Sequence, residues 1–290
     1  MQKIKLVADS ACDMPKQEAE QYGIQILPIP LTFQNKGYLE GVDFTNQQFY
    51  DLLLSSDEIP VTSHITAVEF SGVYRQAFDE GYTDVILVTI ASEGSNMYNA
   101  ARLGKDMFYE ENPEAKDMNV YVIDSKAYTY TYGYALVEAA KMAREERSPE
   151  YVVSYLQDYF QRAEIYFSVF SLDHVKKSGR VSCAAAFVGE LLGLKPIIKF
   201  IDGIATITTK VRGDKAVVPK LVSEACAHMT KGTPYIVMQG CVEGSGAELA
   251  RQMEAAVGYP PVGIYQVGAS IALNSGPKVV AVVVQGKKRS

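Results

Sequence analysis

The sequence predicts an α/β protein of two α/β domains. The first has a mostly parallel sheet flanked by helices, and the second a mixed or antiparallel sheet with helices. Three observations predict it. In the first half, short β-branched and aliphatic runs alternate with segments of helical periodicity, the pattern of a parallel sheet covered on both faces. In the second half, two alternating runs flank Asp202-Gly203, a hairpin signal that parallel units do not need. The charge also reverses along the chain. Residues 1–162 hold 13 Lys and Arg against 25 Asp and Glu, whereas residues 163–290 hold 15 against 9. We therefore divide the chain into domains at 1–162 and 163–290.

Taken in order, Ile4–Ala8 reads as a first strand ending at Asp9-Ser10. A helix over Met14–Tyr22 follows, with Asp13 as N-cap, Pro15 near its start and Gly23 just past its end. Ile24–Leu31 reads as a strand whose two prolines put it at an edge or make it leave the sheet early. Capping boxes, Thr45-x-x-Gln48 and Thr66-x-x-Glu69, open two helices, with the polar segment Pro60–His64 between them. Val85–Ile90 is an unbroken apolar run, expected to be a strand buried on both faces. It runs into Ser92, Gly94, Ser95 and Asn96 and then a helix from Met97. Val120–Ile123 is a further strand, ending at Asp124-Ser125, and a long helix runs from there to about Glu146. Ser148-Pro149-Glu150 caps a helix with Tyr151, Val152, Tyr155, Leu156, Tyr159 and Phe160 on one stripe.

In the second domain Ile165–Phe170 alternates, and Lys176–Arg180 reads as a basic turn. Ser182–Gly193 is expected to be a small-residue apolar helix. The hairpin over Ile197–Val211 comes next. Helix Asp214–Met229, strand Tyr235–Gln239, helix Ser245–Val257 with a Ser245 cap, and strands Val262–Val267 and Val279–Val284 complete the chain.

Composition excludes several functions. Net charge is −6, which disfavours a general nucleic-acid binder. No 18-residue apolar run appears, so no integral membrane association is expected. The N-terminus lacks an apolar signal region, and the expected location is cytoplasmic. Cys12, Cys183, Cys226 and Cys241 are scattered, form no C-x-x-C pair and read as free thiols. The motifs of P-loops, zinc proteases, α/β-hydrolases and dinucleotide folds are absent. No cofactor, metal site or catalytic residue is assigned.

What remains is a set of hydroxyl and amide turns: Asp9-Ser10, Thr62-Ser63, Ser92–Asn96, Asp124-Ser125 and Asn274-Ser275-Gly276-Pro277. In an open α/β sheet the strand carboxyl ends share one edge, where ligands bind. A Ser/Gly turn at a helix N-terminus aims N–H groups and hydroxyls at one spot, which suits a carboxylate or phosphate. A capped βα junction with nothing bound fits the same pattern. A cleft lined by hydroxyls without an acid/base pair reads as a binding site. The alternatives are a Ser/His hydrolase or phosphotransferase acting on a small anionic substrate through Ser95 or His64, although no spacing supports a triad, and a binder of another small anion such as a phosphorylated metabolite.

In this order the motifs resemble the DegV family, whose members include the fatty acid-binding subunits of bacterial fatty acid kinase. The resemblance runs from Asp9-Ser10 through Pro60-x-Thr62-Ser63, Ile90–Ala101, Asp124-Ser125 with Gly133, and Lys176–Arg180. It continues through Leu194–Ile197 with Asp202-Gly203, Arg212, and Ser275-Gly276-Pro277. It implies an EDD fold of two α/β domains with one palmitate-like long-chain fatty acid bound between them and no cofactor. Thr62 and Ser95 would hydrogen-bond the carboxylate, with Ser63, Asn96, Asn274 and Ser275 nearby. The acyl chain would run along Ile165–Phe170 and Ala184–Leu194. Arg212 would engage a DAK-domain-type kinase subunit that phosphorylates the bound carboxylate. Two positions depart from the family: Asn274 stands where a histidine is usual, and Ser178 where glycine is frequent. The first departure bears on kinase partnership more than on lipid binding.

Overall fold

The computed structural model describes residues 3–56, 58–178 and 193–289. In its first part β1 (Ile4–Asp9), α1 (Lys16–Tyr22), β2 (Ile24–Leu27), β3 (Pro30–Phe33), β4 (Lys36–Leu39) and α2 (Asn46–Ser55) lead into β5 (Val61–Thr62). Then come α3 (Ala67–Asp79), β6 (Asp84–Thr89), α4 (Met97–Glu111), β7 (Asn119–Asp124), α5 (Tyr130–Arg144) and α6 (Pro149–Phe160). The second part holds β8 (Ala163–Val169), α7 (Asp173–Ser178), β9 (Leu194–Ile201), β10 (Ile204–Arg212), α8 (Val217–His228) and β11 (Ile236–Gln239). It ends with α9 (Ser245–Val257), β12 (Ile264–Gln266), α10 (Ala269–Ser275) and β13 (Val279–Gln285).

Two main sheets result, as the patterning requires. Strands β2-β1-β6-β7 form an all-parallel sheet. All six residues of β6 are buried, which is why that run lacks polar alternation. Strands β10-β9-β8-β13-β11-β12 form the second sheet, antiparallel except for the β11–β12 pair. Its hairpin turns on Asp202 (φ 52°) and Gly203 (φ 78°), both left-handed as a two-residue hairpin demands.

The second sheet packs on both faces. Tyr166, Val237, Val280 and Val282 meet Leu221 of α8 and Leu249 of α9. On the other face Ile165, Phe167, Val279 and Ala281 share a core with Leu273 of α10 and with Leu31, Phe49, Tyr50 and Leu53 from the first sixty residues. The strands of the two main sheets divide between Asp124 and Ala163, but the packing crosses that line. Tyr50 hydroxyl donates to Val267 O, and Tyr128 hydroxyl to Gly203 O at 3.0 Å.

Several expectations are corrected. Ile24–Leu31 is two strands: Pro28 and Pro30 offer no N–H to the parallel sheet, and the chain crosses to a separate antiparallel sheet, β4-β3-β5, that the sequence reading missed. Asp13 does not cap α1; it sits at φ 50°, ending a 3-10 turn over Ser10–Cys12, and Pro15 takes the cap position. Tyr151 is 52 % exposed and lies off the buried stripe of α6. Lys176 and Lys177 end helix α7 rather than forming a turn, and Gly179-Arg180 lie outside the described residues, as do residues 182–192 of the expected apolar helix. Ser245 is the first residue of α9, its hydroxyl donating to Val242 O, and Gly244 stands at the cap. Asn274 and Ser275 belong to α10, a helix closed by Gly276 (φ 79°), not to a turn.

Candidate functional site

The two central strands of the parallel sheet, β1 and β6, and its edge strand β7 end on one side, and two aspartates organise that edge. Asp9 accepts from Ala11 N (3.2 Å), Ile90 N (2.8 Å) and the Tyr132 hydroxyl (2.6 Å), so it ties β1, the end of β6 and α5. Burial nonetheless raises its pKa to about 6, above the ordinary 3.8. Asp124 accepts from Ser92 N (3.1 Å), Ser92 Oγ (2.5 Å) and Lys126 N (2.9 Å). The turn after β6 is thereby fixed from two sides, and Ser92 serves the turn itself.

Ser95 Oγ accepts from Met97 N at 3.3 Å, at the start of the fifteen-residue α4. That bond uses an oxygen lone pair and leaves the hydroxyl proton for another acceptor. Asn96 is exposed, and its Oδ1 accepts from Asn99 Nδ2 at 3.1 Å. The Thr62-Ser63 segment approaches this turn: Ile65 N donates to Met97 Sδ at 3.3 Å. Thr62 is half-buried in β5, while Ser63 is exposed, its N–H bonded to Pro30 O at 2.9 Å. His64 is exposed, and among the described residues no hydrogen bond joins it to Ser95.

Facing this edge is α10. Asn274 Nδ2 donates to Ser270 O at 2.8 Å, leaving the second amide hydrogen and the carbonyl oxygen unused there. Ser275 Oγ donates back to Ile271 O (3.1 Å) and Gly276 O (3.0 Å), so its one proton is committed to the helix. A Cβ on Gly276 would lie 3.2 Å from His174 Nδ1, which places the α7 imidazole against the end of α10. Burial lowers the His174 pKa below its ordinary value.

Between the edge and the second sheet lies a slot of about 80 Å³. Ile165 and Phe167 of β8, Phe200 of β9, and Val279 and Ala281 of β13 make its apolar wall; Gly94, Thr129, Ser270, Asn274 and Ser275 bring polar groups. Phe167 and Phe200 stack at 5.0 Å and 6°. Of the residues named from sequence, Asn274 and Ser275 line the slot, and the Ser92–Asn96 turn reaches it through Gly94 rather than Ser95. Thr62, Ser63 and Asn96 stand outside its wall. Of the expected acyl-chain lining, Ile165 and Phe167 are on the wall, residues 184–192 lie outside the described residues, and Leu194 opens β9. Arg212 is exposed at the end of β10. Among the described residues no group of three His, Cys, Asp or Glu is placed to hold a metal ion.

The sequence reading missed Thr129, Ser270 and His174. A threonine directly before a helical run is a local signal that could have marked Thr129; nothing local marks the other two.

Comparison with known proteins then decides the family, since the DegV family model matches residues 3–287. The chain belongs to the DegV family. A DegV domain-containing protein of Clostridium perfringens is 28 % identical over 287 residues, covering 98 % of this chain and 99 % of that one. A stearic acid-binding protein of Eubacterium ventriosum superposes with a TM-score of 0.86 at 26 % identity, covering 98 % of both chains. A fatty acid binding DegV protein of Streptococcus agalactiae does so with 0.86 at 26 %, covering 99 % of this chain and 100 % of its own. The mixed α/β architecture of two sheets and flanking helices is thus the DegV fold. No helix of the described DegV chain is long and apolar enough to cross a membrane.

Proposed function

We propose that this chain binds one long-chain fatty acid between its two sheets, with part of it in the slot, and presents it to a kinase. The observation that carries the reading is the slot: an aromatic and aliphatic wall on β8, β9 and β13, with hydroxyl and amide groups of α10 and the strand-end turns at its side. Solved DegV proteins described as binding stearic acid or fatty acids share the fold. Burying an acyl chain against such a wall is favourable by about 0.8 kcal/mol per CH₂, so the tail supplies most of the affinity.

The carboxylate then needs donors. In this reading Ser95 gives its free hydroxyl proton at the N-terminus of α4, where the helix dipole favours an anion, and Thr62 joins it from β5. Ser63, Asn96 and the unused amide hydrogen of Asn274 complete the donor set, with Ser275 fixing the end of α10. Arg212 and the basic second half form the surface for a DAK-domain-type kinase subunit, which would transfer phosphate to the held carboxylate.

Native mass spectrometry of the protein purified from cells, followed by solvent extraction, tests the binding. One long-chain acid per chain is expected. Recovery of none, together with no rise in unfolding temperature on adding such acids, overturns the reading. Arg212→Glu should leave lipid binding intact and abolish kinase-dependent phosphorylation.

A further inference from the structure

We infer that the hydroxyl of Thr129 is a ligand-binding group of the slot, donating a hydrogen bond to the carboxylate of the bound acid. The inference rests on the fatty-acid reading of the same slot and adds a residue to it. Thr129 is 6 % exposed, and its Oγ1 is buried with no hydrogen-bond partner. Among the described residues, six place a buried side-chain oxygen or nitrogen without a partner, and of these Thr129 alone lines the slot. Thr131, two residues on, is also unpartnered but does not reach the wall. A desolvated hydroxyl is costly to leave unpaired, so an acceptor arriving in the slot completes it.

The backbone adds an independent observation. Thr129 sits at φ 59°, ψ −158°, a region that glycine enters readily and a β-branched residue does not. It is the only β-branched residue among the described non-glycine residues with positive φ. A glycine would relieve that strain; a threonine persists there for what its side chain does. Its position supplies the sign of the ligand. Thr129 immediately precedes the fifteen-residue α5 and makes no capping bond with it, so the first-turn N–H groups and the positive end of the helix stand behind the hydroxyl. Glu40, the acidic group bonded to Ser270 of the slot's lining, is already held by three donors.

Delipidated wild type, Thr129→Val, Thr129→Ser and Thr129→Gly are titrated with a long-chain fatty acid and with its methyl ester, and their unfolding temperatures are recorded without ligand. Thr129→Val should bind the acid about tenfold more weakly, the loss of one hydrogen bond to a charged group, while ester binding changes little. Thr129→Ser should keep acid binding. Thr129→Gly should raise the unfolding temperature yet lose acid affinity as Val does, and it decides the matter by the same comparison if the valine variant does not fold. If wild type binds the acid and the Val or Gly variant binds it equally well, this inference falls and the fatty-acid reading stands. If wild type binds neither compound, both fall.

Discussion

Asp9 shows how one side chain links fold and site. Its carboxylate accepts three hydrogen bonds that join β1, β6 and α5, yet it lies where ionisation is disfavoured. Its pKa of about 6 in the fold exceeds the ordinary 3.8, so the folded chain holds this proton more tightly than the unfolded one. The sign follows from linkage. The stability contributed by this protonation is complete below the ordinary pKa and is lost as pH rises through about 6, a swing of up to about 3 kcal/mol. Urea unfolding of wild type and Asp9→Asn between pH 4 and 7 isolates it, because the other titrating groups cancel. The free-energy difference between the two should move against wild type as pH rises. A difference flat in pH would show that folding does not raise the Asp9 pKa. Asp13 is displaced in the same direction, by burial first and then by the Glu40 charge.

At the scale of elements, α3 and α4 pack closely at Gly104. A Cβ on Gly104 would stand 2.6 Å from Ala67 O and 2.7 Å from Phe70 Cβ, and the Tyr74 hydroxyl of α3 donates to Ala101 O of α4 at 3.0 Å. Gly104→Ala should therefore destabilise by about 1–3 kcal/mol through overpacking. Gly72, on the exposed face of α3, has nothing within 4 Å of its Cβ position, and Gly72→Ala should instead stabilise by about 0.5–1 kcal/mol. Thermal unfolding of both variants checks the opposite signs; two changes of the same sign would mean that helix propensity, not the α3–α4 approach, governs these positions. The same contrast between local and distant causes explains what could be read from the sequence. The capping boxes at Thr45 and Thr66 and the Asp202-Gly203 hairpin were legible because each is settled within four residues. The β4-β3-β5 sheet was not, since its strands are two to four residues long and pair Leu31 with Thr62 across a helix. Helix α10, seven residues between Gly268 and Gly276, is too short to show a period. Asn274 and Ser275 are nevertheless legible by residue type and motif order, whereas at Thr129 the sequence shows only a threonine before a helical run, and its burial and backbone angle come from the folded chain.

For the whole molecule the question is what holds α10, which brings Ser270, Asn274 and Ser275 to the slot, against the first sheet. Glu40 is the junction. It is 4 % exposed, on the loop after β4, and accepts from Ser270 N (2.7 Å), Ser270 Oγ (2.6 Å) and Ser10 Oγ (2.6 Å). Ser10 Oγ in turn accepts from Ile29 N at 2.9 Å. One carboxylate thus connects the end of β1, the small sheet and the first turn of α10, parts separated by up to 230 residues in the chain. Glu40→Ala would leave the Ser270 N–H and two hydroxyls without their acceptor in a dry place, and a loss of about 2–4 kcal/mol is expected. Glu40→Gln keeps one acceptor oxygen and should lose less. Because Ser270, which Glu40 holds, lines the slot together with Asn274 and Thr129, Glu40→Ala should also shrink the rise in unfolding temperature produced by added fatty acid. Thermal unfolding with and without the acid measures both effects. A variant as stable as wild type would show that the junction is dispensable. A variant that loses stability but keeps the full ligand-induced rise would show that α10 is positioned by its apolar contacts with β8 and β13 alone, so that the buried carboxylate serves the fold and not the slot.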